Sequence, residues 1–189
     1  MEVYCINLAH RTDKWKQTIS ECDKLGIHVK RVEAIAESPG WKGCRKSHLS
    51  ILSQAKPMFM IMEDDVKFTG TMQDIEQCMS DLPSDWDMLY LGANLQAPIE
   101  KYSDKLYRLK SAYATHAIIY NSQRVVDFIV QKNAGGRKID VFYAEQVMEK
   151  FNVFATRPML ATQRPSLSDI SKSYQYYKHL EDGYNKYTT

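Results

Sequence analysis

Short apolar runs alternate along the chain with longer segments in which apolar residues recur every three or four positions. The short runs predict buried strands, and the longer segments predict helices that turn one face towards a core. The predicted strands cover residues 3–8, 28–35, 58–62, 87–91, 113–120 and 153–156. The predicted helices cover residues 11–26, 42–55, 71–82, 122–132 and 139–151.

Residues with known preferences for helix ends refine these boundaries. Gly26 is expected to end the first helix, and Pro57 follows the second. The stripe that the first helix is predicted to bury consists of Trp15, Ile19, Cys22 and Leu25. Thr71 and Asp74 form the pattern of a capping box at the start of the third helix. These residues locate helix ends that the spacing of apolar residues alone does not define.

The order of the predicted elements indicates the fold class. Strands and helices alternate over most of the chain, which predicts an α/β fold with a mostly parallel central sheet and helices on both faces. The sequence shows no internal repeat and no linker, so a single domain is expected over residues 1–189. Residues 157–189 are polar and aromatic with little periodicity, and this tail is expected to wrap the sheet or to close over a site.

Composition and charge narrow the class of protein. Hydrophobic residues make up 44% of the chain, and the formal net charge of +2 does not favour a nucleic-acid partner. The four cysteines form no CxxC pair, which suits a reduced intracellular protein. No apolar run approaches the length of about 20 residues that a membrane span requires, and residues 1–11 lack the pattern of a signal peptide. A cytoplasmic protein without a membrane span is therefore expected.

The most informative local feature is an apolar run, Met58–Met62, that leads directly into Glu63, Asp64 and Asp65. Adjacent carboxylates repel one another, and a divalent cation among them removes that repulsion. Carboxylate oxygens are hard ligands that suit Mg²⁺ or Mn²⁺. Ligands of open α/β sheets bind at the carboxyl ends of strands, so this strand end is a candidate metal site. The simpler explanation of the acidic triplet is a solvated turn.

Several short motifs resemble those of glycosyltransferase family 25, which includes bacterial lipopolysaccharide galactosyltransferases and the collagen galactosyltransferases. The motifs follow the order of that family from residue 5 to residue 170. They are Cys5–Leu8 with Arg11 and Asp13–Trp15, Gly43–His48, Ile61–Val66, Leu89–Gly92, Ala114–Ala117 with Tyr120, and Gln163 with Ser168–Ile170. Lys14 and Ala114 depart from the arginine and glycine that are common in the family. The resemblance implies a GT-A fold and metal-dependent transfer of a hexose with inversion.

The resemblance also implies roles for residues of this chain. Asp65 is expected to bind the metal directly, and Asp64 to touch the waters of the metal or the donor ribose; the expected cation is Mn²⁺, with Mg²⁺ as the alternative. The residues expected at the nucleotide-sugar donor are Asn7, Leu8, Arg11, Ala34, Lys46, Ser47, Glu63, Asp64, Gln163 and Asp169. Ser47 and His48 are also expected to order their motif by hydrogen bonds. The expected donor is a UDP-hexose carrying galactose or glucose, and the expected acceptor is a glycan or a protein.

Inversion requires a base that takes the proton of the acceptor hydroxyl. Asp140 lies where the family places an acid ahead of a helix, and it is the first candidate for the catalytic base. A helix cap is the simpler role for the same residue. Glu145 is the reserve candidate. His116 is a third, although a histidine in a strand is more often a hydrogen-bonded core residue.

Two other functions stay open at the level of sequence. An acidic strand end also serves metal-dependent phosphohydrolases and nucleotidyltransferases, but the chain carries neither a P-loop nor a glycine-rich nucleotidyltransferase loop. A catalytically inactive sugar-binding scaffold of the same fold is the second alternative. The intact acidic triplet and the presence of Asp140 argue against it.

Overall fold

An eight-stranded sheet lies at the centre of the computed structural model, which describes residues 1–170 and 172–187. The strands are β1 (Glu2–Asn7), β2 (Val29–Glu33), β3 (Phe59–Glu63), β4 (Val66–Phe68), β5 (Met88–Tyr90), β6 (Asn94–Leu95), β7 (Glu100–Lys101), β8 (Leu106–Arg108), β9 (Ala112–Tyr113), β10 (Ala117–Tyr120), β11 (Val153–Thr156), β12 (Ala161–Gln163), β13 (Ser166–Leu167) and β14 (Tyr174–Gln175). The helices are α1 (Thr12–Lys24), α2 (Gly40–Leu52), α3 (Met72–Ser80), α4 (Gln123–Asn133), α5 (Ile139–Phe142) and α6 (Lys178–Tyr187), with a π-helical turn over Tyr143–Val147.

The strand order of the central sheet is β2-β1-β3-β10-β5-β11-β8-β7. Strands β10 and β8 run against the other six, so the sheet is mixed but mostly parallel in direction. This arrangement confirms the predicted α/β class. Because β1, β2 and β3 are parallel neighbours, their carboxyl ends meet at one edge of the sheet.

Hydrophobic clusters cover both faces of the sheet. Alternate residues of a strand point to opposite faces, and in β3 Phe59 and Ile61 join one cluster while Met60 and Met62 join the other. The first cluster contains apolar residues of α2, α4 and α5, and the second contains residues of α1 and α3. Strand β3 is therefore packed on both sides, and its rigid position fixes the carboxylates at its end.

Helix α1 packs Trp15, Cys22 and Leu25 of the predicted stripe against the core and also buries polar residues that the prediction did not include. Its buried residues are Lys14, Thr18, Glu21 and Cys22, whereas Trp15, Ile19 and Leu25 are half-buried. The inner face lies beside the acidic end of β3, where Lys14 pairs with Asp64. Glu21 accepts a hydrogen bond from the backbone N–H of Phe68. Specific polar partners, which apolar periodicity does not report, determine how this helix is rotated.

Local structure around two other predicted elements differs from the prediction. The strand expected over residues 113–120 is broken at Ala114, whose positive φ of 70° separates β9 from β10. The helix expected over 139–151 becomes a π-helical turn after α5, and the N–H of Met148 donates to the carbonyl of Tyr143. The capping box at Thr71 is confirmed, because its hydroxyl accepts from the N–H of Asp74 at 3.2 Å and the Asp74 carboxylate accepts in return.

The region after Arg157 contains more regular structure than its periodicity suggests. Strand β12 pairs with β4, β13 pairs with β14, and α6 buries Leu180 and Tyr184 against the core. These elements form through pairing with distant segments, so a local pattern gives little sign of them. Among the helices of the described residues, none has the length and apolar character needed to traverse a bilayer.

Candidate functional site

A cleft of about 560 Å³ opens where the carboxyl ends of β1, β2 and β3 meet. This is the edge at which open α/β sheets bind ligands, and the volume is typical of small-molecule sites. The strand ends form one wall, and α2, the start of α5 and the segment around β13 and β14 form the others. The lining includes Leu8, Ala34, Trp41, Cys44, His48, Glu63, Asp64, Asp65, Asp140, Gln163, Asp169, Ile170 and Tyr177.

Asp65 is the most deeply buried carboxylate of the acidic triplet, with 6% of its surface exposed. Its Oδ2 accepts hydrogen bonds from Gln163 at 3.1 Å and from the Tyr177 hydroxyl at 2.9 Å. Its Oδ1 is buried and has no hydrogen-bond partner among the described residues. Burial, with the negative charge of Glu63, raises the pKa of Asp65 to about 7. An unpartnered buried carboxylate oxygen is costly for a protein, and a cation there would remove that cost.

Asp64 is held by two side-chain nitrogen donors, one amide and one ammonium. Asn7 donates to Oδ2 at 2.7 Å, and the Lys14 ammonium donates to Oδ1 at 3.2 Å. Burial nevertheless leaves the pKa of Asp64 above its usual value. Both carboxylate oxygens are therefore oriented by the protein, and each keeps a second lone pair for a water or a ligand hydroxyl.

Glu63 lies between the strand end and α2. Its Oε1 accepts from the Thr115 hydroxyl at 2.6 Å, and Nε2 of His48 is 3.4 Å away. Burial alone would raise the pKa of Glu63, but these two neighbours bring it below the usual value. The positive φ of Ala114 interrupts the predicted strand directly before Thr115, the residue that donates to Glu63.

Asp140 lines the cleft from a different element. It occupies the first turn of α5, and the buried side chains of Ile139 and Phe142 on either side anchor that turn in the core. Its Oδ1 accepts the backbone N–H of Val141 at 2.8 Å, but the N-cap of α5 is Lys138, so Asp140 does not have the simpler role of a helix cap. Burial and the charge of Glu63 raise the pKa of Asp140. The structure thus brings the candidate base into the same cleft as the acidic triplet.

Six of the ten residues expected at the donor line the cleft. They are Leu8, Ala34, Glu63, Asp64, Gln163 and Asp169. Leu8 and Ala34 follow β1 and β2 directly, so they border the cleft at the ends of neighbouring strands. Gln163 reaches Asp65, and Asp169 forms an ion pair with Arg11.

The other four expected donor residues do not line the cleft. Asn7 is 1% exposed and supports Asp64, and Arg11 pairs with Asp13 and Asp169 behind the lining. Lys46 is not itself in the lining, but it pairs at 2.7 Å with Glu37, which lines the cleft. Ser47 is fully buried, where it accepts from the N–H of Ile35 and donates to the carbonyl of Gly43.

Neither further candidate base lines the cleft. Glu145 is exposed and pairs with Arg137, and His116 is buried with Nε2 at 3.2 Å from the carbonyl oxygen of Ala161. Burial lowers the pKa of His116, so this ring is neutral in the folded protein near neutral pH.

Two residues at the site had no role assigned from sequence. Lys14 belongs to the first of the motifs. It lies on the same helix face as Thr18 and Glu21, and this spacing indicates a buried polar stripe. Tyr177 reaches Asp65 from 112 positions further along the chain, through a segment without periodicity. A local sequence pattern does not predict a contact between residues so far apart in the chain.

Comparison with known proteins addresses the fold alone. The sequence matches no family model and no curated protein. The structure is similar to the crystal structure of A197 from STIV, with 11% sequence identity, a TM-score of 0.50, and coverage of 92% of this chain and 93% of that chain. The structure of the inositol-1-phosphate CTP transferase from T. maritima matches with 12% identity, a TM-score of 0.45, and coverage of 97% of this chain and 78% of that chain. At 11% identity the likeness to A197 concerns the fold, and function has to be argued from the cleft.

Proposed function

We propose that this protein is a divalent-cation-dependent glycosyltransferase of the GT-A type, related to family 25. It would transfer a hexose from a UDP-sugar to a glycan or protein acceptor with inversion. The observation that carries the proposal is the unpartnered buried Oδ1 of Asp65, in an acidic triplet at the carboxyl end of a parallel strand. A second carboxylate, Asp140, lines the same cleft from a separate element.

The acidic triplet fits a hard divalent cation. Asp65 would hold Mn²⁺ or Mg²⁺ through Oδ1, and Asp64 would orient the waters of the metal. When bound, the cation supplies positive charge that stabilises a departing nucleoside diphosphate. The pKa of Asp65 is raised because burial and the charge of Glu63 outweigh the compensation that Lys14 and Tyr177 provide, and a cation would supply the missing charge.

The strand-end wall suits the nucleotide part of the donor. Leu8 and Ala34 provide apolar surface beside the ends of β1 and β2, and Lys14 adds a buried positive charge next to Asp64. Apolar surface with few polar groups is typical of nucleotide pockets. A cation from the protein near the metal site would also attract a diphosphate.

Asp140 suits the acceptor side of the reaction. Its raised pKa makes the carboxylate a better proton acceptor than an exposed aspartate, while α5 keeps it in place. Asp140 would take the proton of the acceptor hydroxyl as that oxygen attacks the anomeric carbon. Glu145 is a poor substitute, because it is exposed, paired with Arg137 and outside the cleft lining.

Calorimetric titration of UDP, UDP-galactose and UDP-glucose, with and without Mn²⁺, tests this function. We expect nucleotide binding that requires the metal and that falls by about a hundredfold or more in Asp65→Asn. Asp104→Asn is the matched control, because the Asp104 side chain is 92% exposed on the surface. Metal-independent binding, or equal binding by Asp65→Asn, would contradict the metal assignment. Release of phosphate from simple phosphoesters without sugar transfer would favour a phosphohydrolase instead.

A further inference from the structure

A second group of potential metal ligands lies beside the acidic triplet. Cys44, His48 and Glu63 each offer one ligand atom, and these atoms all lie within 4.8 Å of one another. Cys44 and His48 are four positions apart on α2, so they lie on the same helix face, and Glu63 reaches them from the end of β3. All three residues line the cleft.

The contact between His48 and Glu63 is long for a hydrogen bond. Nε2 and Oε1 are 3.4 Å apart, whereas N–H···O bonds are usually about 2.9 to 3.0 Å. A tetrahedral zinc ion, bonded at about 2.1 Å to nitrogen and to oxygen, holds those two atoms about 3.4 Å apart. The imidazole and the carboxylate are therefore already spaced as two ligands of one small cation.

The His48 ring has one polar contact among the described residues, between Nε2 and the Glu63 carboxylate. It is fully buried, and its Nδ1 has no hydrogen-bond partner among the described residues. In the metal-free protein a proton on Nε2 faces the carboxylate and helps to lower the pKa of Glu63, and a bound cation would take the place of this proton. Thr115 fixes Glu63 through its hydroxyl, so the oxygen ligand needs little ordering.

We propose that Cys44, His48 and Glu63 form a binding site for a zinc-like transition-metal ion, distinct from the oxygen-donor site at Asp65. Thiolate and imidazole ligands select zinc or cobalt, whereas carboxylate and water ligands suit manganese and magnesium. The three ligand atoms lie within 4.8 Å of one another, whereas the ligand atoms of one tetrahedral zinc ion lie about 3.4 to 3.8 Å apart, so metal binding would draw the ligand atoms closer together. Three protein ligands leave a fourth position, and it opens to the cleft that all three residues line.

Metal binding at this site is linked to loss of the thiol proton. Burial, together with the charge of Glu63, raises the pKa of the Cys44 thiol, so the metal-free protein holds it protonated. The sulfur–metal bond forms as this proton leaves to solvent, and no oxidant or reductant is involved. The site does not depend on the proposed transferase activity.

Titration of the full, EDTA-stripped chain with Co²⁺ tests the proposal. We expect one equivalent to bind with a near-ultraviolet thiolate-to-cobalt charge-transfer band, which Zn²⁺ then abolishes by displacing the cobalt. Cys44→Ser should lose the band, and His48→Gln should weaken Zn²⁺ binding by about tenfold or more. Cys78→Ser is the matched control and should keep the band, because Cys78 belongs to the cluster on the opposite face of the sheet. Absence of the band in the native chain, or its persistence in Cys44→Ser, overturns the proposal.

Two further measurements separate this site from the acidic triplet and from folding defects. Asp65→Asn should keep the cobalt band even where it loses Mn²⁺-dependent nucleotide binding; loss of the band would mean that Asp65 helps to hold the same ion, and the proposal of a distinct site would be overturned. Zinc should also protect Cys44 of the native chain from iodoacetamide, as read by peptide mass mapping, which requires no variant. Equal alkylation of Cys44 with and without zinc overturns the proposal.

Discussion

The carboxylates at the end of β3 and the carboxylate of Asp140 line one cleft but are held very differently. Asp64 accepts hydrogen bonds from Asn7 and Lys14, and Asp65 accepts from two residues of the C-terminal region. Asp140 accepts one from its own neighbour, Val141, as far as the described residues show. A carboxylate oriented by several fixed donors is suited to hold a cation, and one with a single local donor keeps its lone pairs for the proton of an acceptor hydroxyl.

The largest expected effect comes from removing the proton acceptor. Asp140→Asn should lower hexose transfer by about a hundredfold or more, because the amide cannot take the proton of the acceptor. Metal-dependent binding of the UDP-sugar should be nearly unchanged, since Asp140 lies on a different element from the acidic triplet. Transfer to an acceptor panel and calorimetry on the same protein measure the two quantities. Glu145→Gln is the control, and its rate of transfer should stay within about twofold of that of the native protein. Near-normal transfer by Asp140→Asn would contradict the assignment of Asp140 as the catalytic base.

The next effect concerns the energetic cost of the Asp65 charge. Its pKa is about 7 in the folded protein against 3.8 for the ordinary group, so folding favours the protonated form. The stability that this proton contributes is present below about pH 4 and is lost as the pH rises towards 7. Asp65→Asn mimics the protonated form and should raise the free energy of unfolding at pH 8 by about 4 kcal/mol, in the absence of metal. The gain should vanish at pH 4, and urea unfolding in EDTA at both pH values measures it.

A gain that does not change with pH would mean that Asp65 has an ordinary pKa in the folded protein. The carboxylates at the end of β3 and Asp140 would then differ only in their positions and hydrogen-bond partners. Asp104→Asn, on an exposed turn, should change stability by less than about 0.5 kcal/mol at either pH.

A third effect tests how firmly Asp64 is held. Lys14→Met removes the ammonium but keeps apolar bulk, and it leaves the carboxylate of Asp64 buried beside Asn7 alone. Breaking a largely buried ion pair should lower the free energy of unfolding by about 2 to 3 kcal/mol. Lys16→Met is the control on the same helix, because Lys16 is exposed. If both variants are equally stable, the pair with Asp64 contributes no more than a surface contact.

Lys14 also illustrates how far the sequence predicts this site. The acidic end of β3 and the capping box at Thr71 depend on neighbouring residues, so local patterns predicted both. The inward face of α1 also depends on a partner 50 positions away, and apolar periodicity predicted Trp15, Cys22 and Leu25 but not the buried polar residues beside them. Lys46, a motif residue, is half exposed and pairs with the cleft-lining Glu37, and no local pattern predicts this partner. The local sequence therefore predicts the helices, the strands and the acidic residues at a strand end. The partners of buried charged residues depend on the three-dimensional fold, so the local sequence does not predict them.

The smallest expected effect comes from Tyr177, which donates to Asp65 at 2.9 Å and so links the C-terminal region to the firmly held group of carboxylates. This hydroxyl competes with a cation for the negative charge of Asp65. Its hydrogen bond is worth about 1 kcal/mol, so Tyr177→Phe should raise the Mn²⁺ affinity of the nucleotide-free protein by about fivefold. Calorimetric titration with Mn²⁺ measures the change, and Tyr176→Phe, whose ring is 73% exposed, should show none. Weaker Mn²⁺ binding in Tyr177→Phe would mean that the hydroxyl orients Asp65 for the metal, and the C-terminal region would then belong to the metal site.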